Sequence, residues 1–306
     1  MAGAVKGLVI TMRPIIGIVT LPWVAAMALF ASIEYGDFAS SITSDSMFYN
    51  KLLLIILASY LGVTSGYAVN DYYDANLDVY APIPKAIKLG IPKRTLLVYA
   101  AVLGIPSIVI LFYLNPLTGM IGIIQMISIF AYSKYMKGNA PYSNLFVVIP
   151  TALMPFGVFF VYTNAITIEA ILLFVIFFFF EPGFTWSGVC RDYEYDKKRG
   201  VPTLPVKYGI KATAKFIFVC WTFVLFMSIV LFLFTNLGVV FLIGSVFSGI
   251  LLIIFADNLV KIPRPDVGAK TFIRSAEWFW LFSFSMIIDI ALRMANVVIF
   301  KFNALG

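Results

Sequence analysis

Nine apolar stretches, each about as long as a bilayer is thick, set the strongest limit on how this chain can fold. They cover residues 13–33, 52–70, 95–113, 116–134, 145–163, 166–188, 213–234, 237–256 and 276–300. A hydrocarbon core about 30 Å thick needs about 20 apolar residues per helix, and only a helix satisfies its own backbone hydrogen bonds in lipid. The pattern therefore predicts an all-α membrane protein, a bundle of nine transmembrane helices.

The composition agrees with a membrane location. Only 12% of the residues are charged, whereas a soluble protein is about a quarter charged. The net charge of +7 raises the question of nucleic acid, but the basic residues lie between the apolar stretches, which is typical of membrane-surface charge. We expect a multi-pass cell-membrane protein with one transmembrane domain, 1–306, pseudo-repeat halves of about 1–144 and 145–306, and no nucleic-acid partner.

The distribution of basic residues predicts the orientation. If the N-terminus is cytoplasmic and nine helices alternate, nineteen of the 22 lysines and arginines fall on the same side. By the positive-inside rule that side is the cytoplasm. Two Asp-rich segments, expected in loops at helix ends, fall there as well, so we expect a cytoplasmic-side active site.

The first Asp-rich segment, NDYYDANLD, spans residues 70–78 and follows an apolar stretch directly. If the helix continues, Asn70, Asp74 and Asp78 recur at every fourth position, with Asp71 one step round. Unpaired carboxylates at this density repel one another, and the cost rises beside hydrocarbon. A positive partner is therefore expected, although a solvated acidic helix end remains the simpler interpretation of this segment alone.

The second segment, RDYEYD at residues 191–196, favours a bound positive partner over a solvated acidic helix end. It also follows an apolar stretch, and Asp192 and Asp196 share a helical face. Ligands that are all oxygen, with no histidine in the chain, favour Mg²⁺ before Ca²⁺. Two such carboxylate rows predict two Mg²⁺ ions around one diphosphate.

These motifs resemble those of the UbiA superfamily of intramembrane prenyltransferases. Residues 70–78 match its N-D-x-x-D-x-x-x-D motif, and Asp192-x-x-x-Asp196, running on into T-L-P at 203–205, is similar to its second motif. One departure is VYAPIP at 79–84, where many members carry arginines. The resemblance implies transfer of a polyprenyl group from a prenyl diphosphate, through an allylic carbocation, to a membrane-associated acceptor. An aromatic quinone precursor is the first expectation and a geranylgeranylglyceryl phosphate the alternative.

Seven residues are candidates for binding the diphosphate: Arg13, Lys85, Lys88, Arg94, Tyr132, Lys137 and Arg191. The first resembles the Arg-Pro that begins helix 1 in the family, but it fits an interfacial anchor equally well. The three in the loop after the first motif either cap the site or are ordinary surface charges. The Tyr…Lys pair resembles a family pair between helices 4 and 5, and Arg191 suits bidentate phosphate contact.

Three tyrosines beside the acidic residues, Tyr72, Tyr73 and Tyr193, are candidates for stabilising the carbocation with their ring faces. Two other classes of protein remain open. A cation transporter would use Asp-lined sites, but its sites lie near the membrane midplane. A phosphatidyl-alcohol transferase would carry its acidic motif on one helix.

Polar residues within the apolar stretches are interpreted as structural. Asp289 and Arg293 are one helical turn apart and are expected to pair with each other. Glu181 precedes a proline and needs a partner, with the substrate cavity as an alternative surrounding. The run Phe177–Phe180 is expected to face lipid.

Overall fold

The computed structural model describes residues 2–36, 46–79 and 85–294, and within these ranges the regular structure is helical. A 3-10 helix, Ala86–Leu89, and a π-helical turn, Tyr132–Met136, lie between the α-helices. The α-helices are α1 Ala2–Met12, α2 Pro14–Tyr35, α3 Ser46–Asp78, α4 Lys93–Leu114, α5 Pro116–Ala131, α6 Ser143–Ala152, α7 Met154–Phe159, α8 Ile168–Arg191, α9 Tyr193–Lys198, α10 Leu204–Tyr208, α11 Ile210–Phe234, α12 Val239–Lys261 and α13 Pro265–Met294.

The prediction of a helical membrane protein is confirmed. Seven helices of the described ranges are long and apolar enough to cross a bilayer. The two other predicted spans correspond to shorter apolar pieces, Thr20–Tyr35 within α2 and Ser143–Phe159, which is divided into α6 and α7 at Leu153.

Two helices begin at residues whose side chains cap the first turn. Asn115 ends α4 and accepts a hydrogen bond from the backbone N–H of Leu117 at 2.8 Å, with Pro116 in the first turn of α5. Thr167 accepts a hydrogen bond from the N–H of Ala170 at the start of α8. Caps of this kind satisfy amide groups that the first turn leaves unpaired.

Aromatic packing forms the centre of the bundle, where α2, α8 and α13 meet. Phe177 stacks on Trp23 with ring centroids 3.9 Å apart, and Phe180 stacks on Trp278 at 4.2 Å. Both phenylalanines are fully buried. The expectation that the whole Phe177–Phe180 run faces lipid is therefore wrong, because four consecutive residues point to all sides of a helix and α8 has neighbours on several of them.

The expected pair in α13 is also wrong. Asp289 is buried and accepts hydrogen bonds from the backbone N–H groups of Gly238 and Phe241, at 2.6 and 3.4 Å, so it caps the start of α12. Arg293 instead pairs with Glu34 of α2 at 3.0 Å. Asp289 pairs with these amides because buried N–H groups at a helix start are costly to leave unpaired, whereas the Arg293 guanidinium has another carboxylate within reach.

The site is positioned by two helix ends. The helix α3 continues past its apolar part through Asp78, as the four-residue spacing predicts, so the first Asp-rich segment is helical rather than a loop. The helix α8 ends at Arg191, and Asp192 leads into the short helix α9. Glu181, the residue directly before Pro182 within α8, is buried and accepts a hydrogen bond from Thr185 at 2.9 Å.

Candidate active site

A cavity of about 600 Å³ opens between the two Asp-rich segments. All six predicted metal ligands line it: Asn70, Asp71, Asp74, Asp78, Asp192 and Asp196. They come from parts of the sequence more than a hundred residues apart, and the tertiary fold brings the end of α3 and the end of α8 to one cavity.

The three aspartates of α3 are buried, with 4, 5 and 9% of Asp71, Asp74 and Asp78 exposed. Their spacing of three and four residues places them on one face of the helix. Asn70 donates a hydrogen bond from Nδ2 to Asp74 Oδ2 at 3.0 Å. Buried carboxylates need compensating charge, and the surrounding segments supply it.

Three cations from separate segments meet these carboxylates. Arg13 lies 3.4 Å from Asp71, and Lys85 Nζ lies 3.7 Å from Asp71 and 3.1 Å from Asp78. Lys137 pairs with Asp74. The three α3 carboxylates and their three cationic partners therefore line the cavity wall together.

Arg13 reaches these carboxylates because the chain breaks between α1 and α2. Its backbone has a φ of 45°, in the left-handed region that residues other than glycine seldom adopt. The guanidinium also lies over the ring of Tyr67, 4.3 Å from the centroid. A backbone conformation of this kind persists only where the surroundings hold it, and such positions are frequent at functional sites.

Burial raises the pKa of Asp78, and the nearby charge of Lys85 only partly offsets this. The carboxylate therefore depends on a positive neighbour to remain charged. A bound metal ion or the Lys85 ammonium would each fulfil that requirement.

The second motif is more open. The guanidinium of Arg191 donates two hydrogen bonds to the carboxylate of Asp192, both at 2.7 Å, and more than 40% of each side chain is exposed. Burial, and then the charge of Asp192, raise the pKa of Asp196 to about 6. Two neighbouring carboxylates without a shared cation disfavour each other's charged form.

The oxygen-bearing side chains of the cavity are of the type that binds a hard divalent ion. Six oxygen-bearing side chains surround one cavity, and oxygen is the ligand that Mg²⁺ prefers. Within the described ranges, however, no three acidic, histidine or cysteine side chains already converge as a metal site. Lys85 and Lys137 hold the carboxylates instead, so metal binding would exchange ammonium partners for the ion and leave the ammonium groups facing the same cavity.

Five of the predicted diphosphate ligands line the cavity: Arg13, Lys85, Tyr132, Lys137 and Arg191. The cavity wall does not include Lys88 and Arg94, and both are exposed residues of the described segment that follows residue 85. The Pro-Ile-Pro stretch at 82–84 lies outside the described residues.

The three predicted carbocation-stabilising tyrosines are not part of the cavity wall either. Lys93 lies over the ring of Tyr72, and Tyr73 contacts the ring of Phe130. Tyr193 packs against the core of the bundle. Since a helix turns 100° per residue, the two tyrosines that follow Asp71 point away from its face.

Sequence reasoning missed other aromatic residues. Tyr67 occupies the same helical face as Asp71 and Asp74, at the four- and three-residue spacings that the motif itself uses. That periodicity was the available signal. Tyr67 contacts the guanidinium of Arg13 and is not itself part of the cavity wall. Tyr195, Trp186 and Phe272 line the cavity, and the last two come from parts of α8 and α13 where nothing in the sequence distinguishes them from ordinary membrane aromatics.

These features define a helical membrane protein with an acidic, cation-lined cavity at the ends of its helices. The model of the UbiA prenyltransferase family matches residues 21–284, and the chain belongs to that family.

The chain is similar in sequence to several protoheme IX farnesyltransferases. A protoheme IX farnesyltransferase 1 of Bacillus subtilis is 29% identical over 54% of this chain and 53% of its own length. A protoheme IX farnesyltransferase of Ehrlichia chaffeensis is 33% identical over 60% of this chain and 61% of its own length. The one of Nitrosococcus oceani is 28% identical over 82% and 85%. The chain thus spans only about half to three fifths of the first two.

Solved structures share the fold. A UbiA homologue from Aeropyrum pernix superimposes with a TM-score of 0.70, 16% identity and coverage of 90% of this chain and 98% of that one. A homologue from Archaeoglobus fulgidus, solved with GPP and Mg²⁺, superimposes with a TM-score of 0.57, 18% identity and coverage of 92% and 99%.

Proposed function

We propose that this chain transfers a polyprenyl group from a prenyl diphosphate to a membrane-associated acceptor, with the help of Mg²⁺. The observation that carries the proposal is the single cavity in which two carboxylate motifs face Arg13, Lys85, Lys137 and Arg191. Carboxylates alone suit a metal and cations alone suit a phosphate. Their combination suits a metal diphosphate.

In the proposed reaction the allylic C–O bond breaks and its electron pair leaves with the diphosphate. The acceptor then donates an electron pair to the allylic carbon and loses a proton. The carboxylates of the two motifs would hold two Mg²⁺ ions, which supply positive charge where the leaving group becomes more negative. Arg13, Lys85, Lys137 and Arg191 would bind the remaining phosphate oxygens.

The cavity also has to protect the cation from water. Aromatic rings stabilise a neighbouring cation through their electron-rich faces. Tyr195, Trp186 and Phe272 line the cavity, and we assign this role to them rather than to Tyr72, Tyr73 and Tyr193, which point elsewhere.

The relatives support protoheme as the first acceptor to test, and farnesyl as the first prenyl group. The aromatic quinone precursor and the geranylgeranylglyceryl phosphate remain the other candidates. The test is to incubate purified protein with labelled farnesyl or geranylgeranyl diphosphate and each acceptor, with Mg²⁺ or with EDTA. We expect Mg²⁺-dependent diphosphate release and one labelled product. Mg²⁺ uptake into proteoliposomes without diphosphate release, with every acceptor present, would favour the transporter alternative.

We further propose that α2 and the α6–α7 segment also cross the bilayer, which gives nine spans and places the cavity at the cytoplasmic face. The test introduces one cysteine in place of Lys198 or Asn164, in a protein lacking the two native cysteines. A membrane-impermeant maleimide added to intact cells should label position 164 and not position 198. Labelling of both or neither would contradict the nine-span orientation.

A further inference from the structure

A second cavity shares a wall with the first. It has a volume of about 370 Å³, and it lies between α6, α8 and α11. Its wall is formed by apolar side chains of these helices: Leu145, Val148, Phe178, Phe179, Pro182 and Cys220. Asn144 and Trp186 line both cavities.

The second cavity is a groove along one side of α8. Phe178, Pro182 and Trp186 are four residues apart, which places them on one face over a length of about 12 Å. Leu145 of α6 faces the same groove and is 50% exposed. The groove therefore runs from the wall of the polar cavity along the membrane-spanning part of the bundle, and it is open on the side where lipid would lie.

Two buried donors at the junction lack partners. Among the described residues, Asn144 Nδ2 and Trp186 Nε1 have no hydrogen-bond acceptor, although both atoms are buried. Leaving a buried donor unpaired costs about 1–3 kcal/mol, and such groups call for a specific explanation. A ligand with acceptor atoms at the junction would supply it.

We propose that this groove binds the acceptor substrate, a planar apolar molecule with a carboxylate or carbonyl group that accepts hydrogen bonds from Asn144 and Trp186. This inference rests on the proposed function. The apolar body would lie against Phe178 and Pro182, and the polar end would enter the wall of the cavity that holds the diphosphate. The acceptor would thus reach the allylic carbon from the membrane without crossing the charged opening.

The prenyl chain fits the groove less well. Beyond its diphosphate it has no hydrogen-bond acceptor, so it would leave both donors unpaired. A lipid acyl chain has the same shortcoming. Both occupants are outcomes that the test distinguishes.

Three variants test the site. Trp186→Phe removes the N–H and keeps a ring, Asn144→Leu removes the amide, and Leu145→Trp fills the groove at an exposed position. Trp280→Phe and Leu97→Trp are matched controls, because both residues are partly exposed on helix surfaces outside the two cavities.

Equilibrium binding of two probes, protoheme and 1,4-dihydroxy-2-naphthoate, is measured by absorbance and fluorescence without any prenyl diphosphate. We expect wild type to bind at least one probe. Trp186→Phe and Asn144→Leu should each weaken that binding about tenfold, the effect of one lost hydrogen bond to a charged group. Leu145→Trp should weaken it at least about tenfold, because the added ring would occupy the groove. The controls should retain wild-type binding. The KM for farnesyl diphosphate should not change in Leu145→Trp, because Leu145 lines only the groove and not the cavity proposed for the diphosphate.

Unchanged probe binding in all three variants, or no binding of either probe to wild type, would overturn the inference. A rise in the KM for farnesyl diphosphate with probe binding intact would show that the groove holds the prenyl chain or lipid, and would also overturn it. Because binding is measured without turnover, a wild type that binds the probes but forms no product contradicts the proposed function and leaves the groove assignment standing.

Discussion

The side chains of Asp71, Asp74 and Asp78 are only 5, 7 and 12% exposed, whereas Asp192 keeps 44% of its side chain exposed, although both motifs line one cavity. The α3 aspartates have cation partners from three separate segments, at Arg13, Lys85 and Lys137. Asp192 is paired only with the residue before it, Arg191, among the described ion pairs.

The difference indicates two stages of organisation. A carboxylate row whose countercharges come from the tertiary fold is already in place before any ligand binds. A carboxylate paired with its own neighbour near water is free to change partners, because an exposed ion pair contributes little. We infer that the α3 motif fixes the position of the metal diphosphate and that the second motif completes its coordination on binding.

The largest expected effect comes from removing one carboxylate of each motif. Asp74→Asn should lower kcat/KM about 1,000-fold, the upper end for the loss of one fixed electrostatic group. Asp192→Asn should lower it about 10–100-fold, the range for a supporting metal interaction, and should raise the Mg²⁺ concentration needed for half-maximal rate. Steady-state kinetics with labelled prenyl diphosphate measure both.

Asp257→Asn is the matched control, because Asp257 forms an exposed ion pair with Lys261 on α12. It should retain wild-type kinetics. Equal losses in Asp74→Asn and Asp192→Asn would contradict the two-stage interpretation.

The two carboxylate motifs could be located from the sequence because they are local, and their role as metal ligands stays a prediction. The identity and spacing of residues 70–78 contain both the helical register and the ligand chemistry, and the structure brings the motif to the cavity with Asp192 and Asp196. The same register, extended one turn back, would have indicated Tyr67 and excluded Tyr72 and Tyr73.

Partners from distant segments were not accessible in this way. Asp289 and Arg293 are one turn apart, yet the packing of α12 and α2 against α13 gives Asp289 the partner Gly238 and Arg293 the partner Glu34. Likewise, nothing near Lys85 or Lys137 indicates which carboxylate each contacts. Such pairings depend on how helices pack, and one sequence alone does not contain that information.

A smaller effect is expected when the countercharges are removed in the ligand-free protein. Lys85→Met leaves Asp78 and Asp71 without that ammonium, and an uncompensated buried charge should lower the free energy of unfolding by about 3 kcal/mol. Arg191→Met breaks an exposed pair and should lower it by at most about 1 kcal/mol. Denaturant titration of the detergent-solubilised protein in EDTA measures both.

Added Mg²⁺ should restore more stability to Lys85→Met than to wild type, because the ion would compensate the carboxylates that the ammonium no longer contacts. Similar destabilisation by the two substitutions, or no difference in the response to Mg²⁺, would show that the two motifs are not organised differently.

The smallest expected effect is a pH dependence that belongs to the second motif. Burial and the charge of Asp192 raise the pKa of Asp196 to about 6, so the native state favours the protonated form. The stabilising contribution of that proton is fully present below the unfolded pKa of about 3.9 and is lost as the pH rises through 6. Mg²⁺ binds the charged form of Asp196, so the Mg²⁺ affinity should be constant above pH 6 and fall about tenfold per pH unit below it, if one proton is displaced.

Asp196→Asn should remove the pH dependence of the stability and that of the Mg²⁺ affinity, whereas Asp257→Asn should retain both. Isothermal titration with Mg²⁺ and inorganic diphosphate between pH 5 and pH 8 measures the affinity. A transition near pH 6 that persists in Asp196→Asn would assign the titration to another group. The pH dependence would then no longer distinguish the motif of Asp192 and Asp196 from the buried motif of α3.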